Sequence, residues 1–365
     1  MIPAFHDQDA RFARAFQILQ DATDQRAFPA ASVAITLKRE LIVLRSAGRF
    51  TYDPAAPVVT PDMLFDLASV TKVMATTPMA MILYERGLLD LEMPVISVVG
   101  ELGGEDPRRD EVTLRMLLAH SSGLPAYEKL FLRCRTREDL LQAAFSTDLA
   151  NDPGSQAEYS DIGFIILGVA LERLADESLD RFCQREIFGP LGLTHTTFNP
   201  AQEVRAHIPP TADDKTFRHR VIQGEVQDEN ASVLGGVAGH AGLFASAQDV
   251  ACFAHAMLPG NSSLLRSETL RLFTAREISP PGTSRALGWD TPSAPSQSGK
   301  YFSALSYGHL GYTGTSLWID PEWGLSVTLL TNRTWPDCAN QAIKRVRPAF
   351  HDAVMECLGL TALER

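Results

Sequence analysis

The sequence predicts an α+β fold: an antiparallel sheet flanked by helices, with a mostly helical insertion. Three observations predict it. β-rich runs lie near both ends of the chain, at residues 31–37 and 41–44 and again at 312–319 and 325–331. Helix-period stretches fill the middle. No internal repeat interrupts this order, so strands from the two ends must pair with each other to build one sheet.

The elements follow in order. Phe12, Ala15, Phe16 and Leu19 recur at helical spacing within residues 9–26. The first two β-rich runs are separated by Lys38-Arg39-Glu40, a hairpin signature. A loop with Pro54, Pro57 and Pro61 leads to Phe65-Asp66-Leu67-Ala68-Ser69. A helix is predicted from residue 70 to about residue 86, closed by Gly87. Pro78 falls inside it and predicts a lost hydrogen bond and a kink. Residues 112–118, 137–145, 162–174 and 179–187 read as helices. The polar stretch 199–227 reads as a long surface loop, and 280–282 and 292–299 as shorter ones. Asp320-Pro321-Glu322-Trp323-Gly324 is a turn between the last two strands, and residues 340–357 form a closing helix. The 365 residues exceed a typical single domain. The expected organisation is an α/β lobe from residues 1–75 and 235–365, a mostly helical lobe from 76–234, and an active site between them.

Composition narrows the function. Apolar residues make up 45% and charged residues 21%, which is ordinary globular usage. A net charge of −11 with no Lys/Arg-rich run argues against nucleic acid or an anionic membrane as partner. The longest apolar run, residues 162–171, is about half the length of a membrane span. No basic segment followed by an apolar one opens the chain, so the sequence as it stands predicts a cytoplasmic protein, or a periplasmic or secreted one if a signal has been removed. The five cysteines are widely spaced and form no C-x-x-C pair, which predicts buried reduced thiols. Nine histidines form no H-E-x-x-H pattern, so no metal and no cofactor are expected. Nothing in the sequence reads on oligomeric state.

The chemistry concentrates at Ser69-Val70-Thr71-Lys72. A serine hydroxyl needs a base within hydrogen-bond reach to act as a nucleophile at neutral pH. Residues three apart share a helix face, so the spacing sets the Lys72 amine beside the Ser69 hydroxyl. Burial lowers a lysine toward neutrality and makes it a usable base. Ser and Lys meet at this spacing about once by chance in a chain of this length, so the apolar surroundings (Phe65, Leu67, Val70, Val73, Met74) matter to the reading.

The segment Phe65-Asp66-Leu67-Ala68-Ser69-Val70-Thr71-Lys72, followed by Leu83-Tyr84-Glu85-Arg86-Gly87-Leu88-Leu89-Asp90-Leu91, resembles the nucleophile segment of the serine β-lactamase/penicillin-binding-protein-like family, in its class C and esterase branch. Four further stretches fall in the expected order. These are residues 117–125 with His120-Ser121-Ser122-Gly123, then Tyr159-Ser160-Asp161, then residues 236–244 around Gly239-His240-Ala241-Gly242, then His309-Leu310-Gly311. The resemblance implies a β-lactamase-like fold. It also implies roles: Ser69 attacks the acyl carbon, Lys72 shares or relays the proton, and Tyr159 acts with Lys72 as general base and then as acid. It makes the backbone N–H groups of Ser69 and Tyr312 the oxyanion hole. Asp161, His309 and Gly311 line the substrate, with His309 contacting a substrate carboxylate or tuning Tyr159. His120 and His240 read as structural.

Two departures from the family pattern shape the substrate expectation. Asp161 stands where the family has Asn, and an ionised Asp cannot donate a hydrogen bond to an amide. Facing Lys72, it is expected to keep that lysine charged and leave Tyr159 as the stronger base. His309 stands where many members have Lys, which weakens cationic recognition of a carboxylate. An esterase or a D-alanyl-D-alanine carboxypeptidase-like acyl hydrolase is therefore expected ahead of a β-lactamase. The substrate is a small-molecule ester, a D-amino-acid peptide or a β-lactam. A non-catalytic scaffold of the same fold is the alternative of a different class, and retention of Ser69, Lys72 and Tyr159 argues against it.

Overall fold

The computed structural model describes residues 1–361 of the chain. Among the described residues, eleven strands run in chain order as β1 (Ile2–Pro3), β2 (Ala30–Leu37), β3 (Glu40–Gly48), β4 (Phe65–Asp66), β5 (Thr196–Phe198), β6 (Ala212–Asp214), β7 (Arg220–Ile222), β8 (Leu243–Ala245), β9 (Tyr307–Leu310), β10 (Ser316–Asp320) and β11 (Leu325–Thr331). The α-helices are α1 (Gln8–Arg11), α2 (Ala13–Asp24), α3 (Thr77–Glu85), α4 (Leu114–Leu118), α5 (Arg137–Phe145), α6 (Asp161–Ala175), α7 (Leu179–Cys183), α8 (Gln202–Arg205), α9 (Glu229–Val233), α10 (Ala247–Ala256), α11 (Ser267–Thr274) and α12 (Ile343–Leu358).

The main sheet has the order β1-β3-β2-β11-β10-β9. Strands from the two ends meet at β2 and β11, with Ile35 opposite Val327 and Val33 opposite Leu329. Every pair is antiparallel except β1 with β3, so the expected antiparallel sheet is mixed at its short outer edge. Both faces are covered, which explains why the strands read as near-continuous apolar runs. Val33, Ile35, Trp318, Val327 and Leu329 pack on one side with Phe12, which joins α1 to α2, with Phe16 of α2, and with Phe350 and Val354 of α12. Ala34, Leu317, Ile319 and Leu330 turn to the other side, into a cluster that also takes in Val250 and Phe253 of α10 and Ile162–Leu171 residues of α6. That second cluster draws on both end segments and on the middle of the chain, which share one apolar interior.

In the middle segment, α6 is apolar on every side and buried from Ile162 to Leu171. Ser160 caps it by accepting from Gly163 N–H at 3.0 Å. A small sheet, β4-β8-β5, stitches this segment to the nucleophile region.

The structure corrects four local expectations. The stretch 199–227 is not an irregular loop, because it contains α8 and the β6–β7 hairpin. Asp214 organises that hairpin, accepting from the N–H groups of Thr216 and Phe217 at 2.9 Å and pairing with Arg218 at 3.0 Å. The predicted strand at 312–319 begins only at Ser316, since residues 311–315 form the connection from β9 to β10. Pro78 does not fall inside one continuous α-helix: residues 72–76 form a π turn, and Pro78 lies in the first turn of α3, where a missing N–H is tolerated. All five cysteines are free, but only Cys134 and Cys183 are buried.

Candidate active site

Ser69 is set by the strand that precedes it. Phe65 and Asp66 pair with Ala245 and Phe244 of β8, and Leu67 N–H donates to Leu243 O at 2.9 Å. The chain then turns sharply through Ala68, whose φ of +45° is a left-handed conformation that costs energy for a non-glycine residue. Asp66 holds it there, its Oδ1 accepting from Ala68 N–H at 2.8 Å. A short 3-10 turn, Ala68–Val70, carries Ser69 out of the buried run so that its hydroxyl meets the cleft. The π turn at Lys72–Thr76 follows, and Lys72 points inward with no exposed surface.

The Lys72 side-chain nitrogen, Nζ, is the hub. It lies 3.1 Å from Ser69 Oγ, 2.6 Å from Tyr159 OH, 2.6 Å from Asp161 Oδ1 and 3.1 Å from the carbonyl of His240. The Tyr159 hydroxyl lies 2.6 Å from Ser69 Oγ and 2.9 Å from Asp161 Oδ1. Tyr159 and Asp161 arrive together because they flank Ser160, the cap of α6. Gly239, before His240, packs against α6 so closely that a Cβ there would fall 2.1 Å from Phe164 O. That approach is what brings the His240 carbonyl to Lys72.

The electrostatics follow from burial. Loss of water lowers Lys72 below the ordinary lysine range; Asp161 pulls the other way and does not win. Burial, and then the charge of Asp161, push the Tyr159 phenol well above its ordinary value. Asp161 does face Lys72, as expected, at 2.6 Å. Burial nevertheless moves the lysine downward and the phenol upward.

His309, on β9, is buried and donates from Nδ1 to the carbonyl of Leu310 at 2.8 Å. Burial, reinforced by Lys72 and Arg285, holds it well below the usual histidine range. A neutral ring with its Nδ1 hydrogen committed to Leu310 offers no cation to a substrate carboxylate. Its ring centroid lies 6.0 Å from that of Tyr159. His120 is likewise pushed well below its usual range, by burial and then by Arg285; its ring stacks 4.7 Å from Tyr159 and its Nδ1 accepts from Ser160 N–H at 3.0 Å.

On the opposite wall, Gly311 sits where side chains would not fit, since a Cβ would come 2.5 Å from Leu67 O and closer still to Thr315 Oγ1. Gly314 N–H donates to Gly311 O at 3.0 Å. The carbonyl of the Gly311–Tyr312 peptide is therefore turned into the connection, and its N–H, borne by Tyr312, points the other way. Among the described residues that N–H donates to no backbone carbonyl.

Three residues that the sequence reading did not single out belong to the same cleft, which has a volume of about 690 Å³. Arg285 reaches over the Tyr159 ring at 5.6 Å and sits 3.6 Å from Asp290. Asp228 caps α9 and lies 2.9 Å from His240 Nε2. Although burial opposes it, His240 and the Ala231 N–H hold Asp228 below the usual carboxylate range. Arg333 packs on Tyr312. Asp228 carried a usable signal as an acid at a helix start; Arg285 and Arg333 carried none. Among the described residues no cluster of three or more His, Cys, Asp or Glu is placed to hold a metal, and no helix is long and apolar enough to cross a membrane.

Known proteins are similar to this chain over 74% to 95% of its length. A Bacillus subtilis protein named "N-acetylmuramyl-L-alanine amidase" is 33% identical over 301 residues, 74% of this chain and 68% of that protein. A Salmonella agona protein named "Putative D-alanyl-D-alanine carboxypeptidase" is 32% identical over 351 residues, 85% of this chain and 80% of that one. Among solved structures, EstCE1, described as a hydrolase with promiscuous acyltransferase activity, superposes with a TM-score of 0.78 at 22% identity, covering 95% of this chain and 99% of its own. The Beta-lactamase family profile matches residues 15–349, so the chain belongs to the beta-lactamase family.

Proposed function

We propose that this protein is a serine acyl hydrolase that forms an acyl-enzyme at Ser69 and acts on acyl-D-amino-acid peptides of cell-wall type. The observation that carries the mechanism is the triangle of Ser69 Oγ, Lys72 Nζ and Tyr159 OH, with sides of 3.1, 2.6 and 2.6 Å. As Ser69 Oγ bonds to the acyl carbon, its proton passes to the Tyr159 oxygen while the Tyr159 proton passes to the neutral Lys72 amine. The oxyanion is received by the N–H groups of Ser69 and Tyr312. Collapse breaks the bond to the leaving group, which takes its proton from Tyr159 as Lys72 replenishes it. Water then attacks the acyl-enzyme by the same relay and frees Ser69.

Arg285 supports the substrate class. With His309 neutral, the guanidinium over Tyr159 is the cation placed beside the group that protonates the leaving group. It suits a leaving group with a free carboxylate. The Salmonella agona relative's name points the same way. Ester hydrolysis is the second reading. It is favoured by Asp161, whose Oδ1 is committed to Lys72 and Tyr159 and offers no donor to an amide.

The test compares wild type with Ser69→Ala on a short activated ester, a peptide ending in D-Ala-D-Ala and a chromogenic cephalosporin, with mass spectrometry for an acyl adduct on Ser69. Ser69-dependent release of D-alanine supports the reading. Ser69-dependent turnover of the ester alone selects the second reading, and fast cephalosporin turnover overturns the substrate ranking. Full activity in Ser69→Ala overturns the mechanism itself.

A further inference from the structure

We propose that Arg333 is the positioning residue of the oxyanion-binding peptide, fixing Tyr312 so that its N–H faces the cleft. The inference rests on the reading of Ser69 as the nucleophile.

The connection from β9 to β10 is short, and the carbonyls of Gly311, Tyr312, Thr313 and Thr315 are all held, whereas the Tyr312 N–H donates to no protein group among the described residues. Gly311 N–H donates to Thr315 O at 2.8 Å and Gly314 N–H to Gly311 O at 3.0 Å. Thr313 and Thr315 hydroxyls tie the connection to the nucleophile segment, donating to Asp66 O at 2.8 Å and Leu67 O at 3.0 Å. What these bonds leave free is rotation about Tyr312 itself. Arg333 removes that freedom from three directions. Its Nε donates to Tyr312 O at 2.7 Å. Its guanidinium carbon lies 4.4 Å from the centroid of the Tyr312 ring. Its own backbone N–H donates to Thr313 O at 3.0 Å, and the Thr331 hydroxyl joins it there at 2.8 Å.

Arg333 is itself held rigidly. It is 5% exposed, lies two residues beyond the end of β11, and its Nη1 reaches the carbonyls of Cys338 and Asn340 at 3.4 and 3.3 Å. Among the described residues no carboxylate lies within ion-pair distance of it, so its charge is not spent on a salt bridge and stays next to the peptide that must face an oxyanion. A fork of fixed donors is what this task needs, whereas a lysine carries its three donors on a single rotating nitrogen. Pre-set donors are effective because they cost no reorganisation when charge develops.

The experiment uses the full chain with Arg333→Gln and Arg333→Lys, a neutral activated ester as substrate and a small alkylboronic acid as inhibitor. Ser69 Oγ adds to boron, giving a tetrahedral adduct with a hydroxyl in the oxyanion position. The expected result for Arg333→Gln is a kcat lower by about 10- to 100-fold with KM changed by less than about threefold, and boronate affinity weakened by the same factor as kcat/KM. Arg333→Lys falls between that variant and wild type. If Arg333 serves instead to bind a substrate carboxylate, KM rises for the D-Ala-D-Ala peptide alone and the neutral ester is untouched, which overturns the proposal. Unchanged boronate affinity in a folded variant also overturns it. Should Arg333→Gln fail to fold, Arg333→Lys with wild-type kcat and boronate affinity overturns it equally. The Ser69 reading fails separately, through ester turnover that survives Ser69→Ala.

Discussion

The two walls of the cleft are built from different materials. One wall is side chains: Ser69, Lys72, Tyr159 and Asp161 share mutual hydrogen bonds of 2.6 to 3.1 Å, in surroundings where burial moves Lys72 down and Tyr159 up. The other wall is backbone: the connection from β9 to β10 presents a peptide N–H and keeps its side chains for holding itself in place. Under the proposed mechanism, the difference follows from what each wall has to do. Moving a proton needs groups whose pKa responds to environment, and burial supplies that response. Receiving a developing charge needs dipoles that do not move, and a pinned peptide supplies those.

The largest effect on turnover comes from breaking the side-chain wall at its hub. Lys72→Met keeps an apolar stem of similar length and removes the proton acceptor. Turnover of the activated ester should fall by about 10²- to 10⁴-fold, the range general-base catalysis contributes. Stopped-flow acylation is the measurement, with a melting curve to establish that the variant is folded. Turnover within about threefold of wild type would mean that the base lies elsewhere.

A smaller change sharpens the comparison without breaking the wall. Lys72 is faced by Asp161 and Asp228, which favour its charged form, and by burial and Arg285, which disfavour it. Asp161→Asn removes the closest of the favouring charges. The lysine then moves further down, and the acid limb of the kcat/KM profile against pH moves to lower pH. Turnover at neutral pH stays within about tenfold, since the base is then more fully deprotonated while one hydrogen bond is weakened. A limb that stays in place, or moves to higher pH, excludes Lys72 as the group that sets it.

The walls also differ in how far they were legible in the sequence. The side-chain wall was readable because its members lie close together in two short segments, 69–72 and 159–161, each attached to a helix with a clear apolar pattern such as Ile162–Leu171. The backbone wall was readable only as a place, His309-Leu310-Gly311, because the residues that shape it come from elsewhere. Arg333 follows a strand whose apolar run says nothing of the residue beyond it. Arg285 lies in a connection between α11 and β9 with no periodic pattern. The β6–β7 hairpin was missed for a related reason, since Asp214 and Arg218 order it through polar bonds and no alternation of apolar residues announces it. The direction of the Lys72 shift depended on how completely the amine is buried, which spacing does not reveal. Asp66 did carry a signal, a lone acid in the apolar run Phe65-Asp66-Leu67.

Asp66 is where the two walls join, and it gives the prediction with the smallest effect on turnover. Its Oδ1 accepts from Ala68 N–H at 2.8 Å beside the nucleophile, its Oδ2 from Gln227 N–H at 2.6 Å beside Asp228, and its carbonyl from the Thr313 hydroxyl at 2.8 Å on the backbone wall. Burial outweighs those two N–H bonds and raises its pKa from 3.8 to about 6. Between these values the folded chain keeps a proton that the unfolded chain has lost. Stability from this group is therefore full below pH 3.8 and declines as pH rises through about 6. A shift of this size corresponds to about 3 kcal/mol. Asp66→Asn does not titrate, but it offers one acceptor to two N–H groups and so loses about 1–3 kcal/mol at every pH. Urea unfolding of both proteins from pH 4 to 7.5 isolates the group, because every other carboxylate is common to the pair. The variant should start less stable than wild type at pH 4 and close that gap as pH rises. A gap that is constant with pH would mean that Asp66 carries its charge at no cost, and that its two N–H partners, rather than burial, set its ionisation.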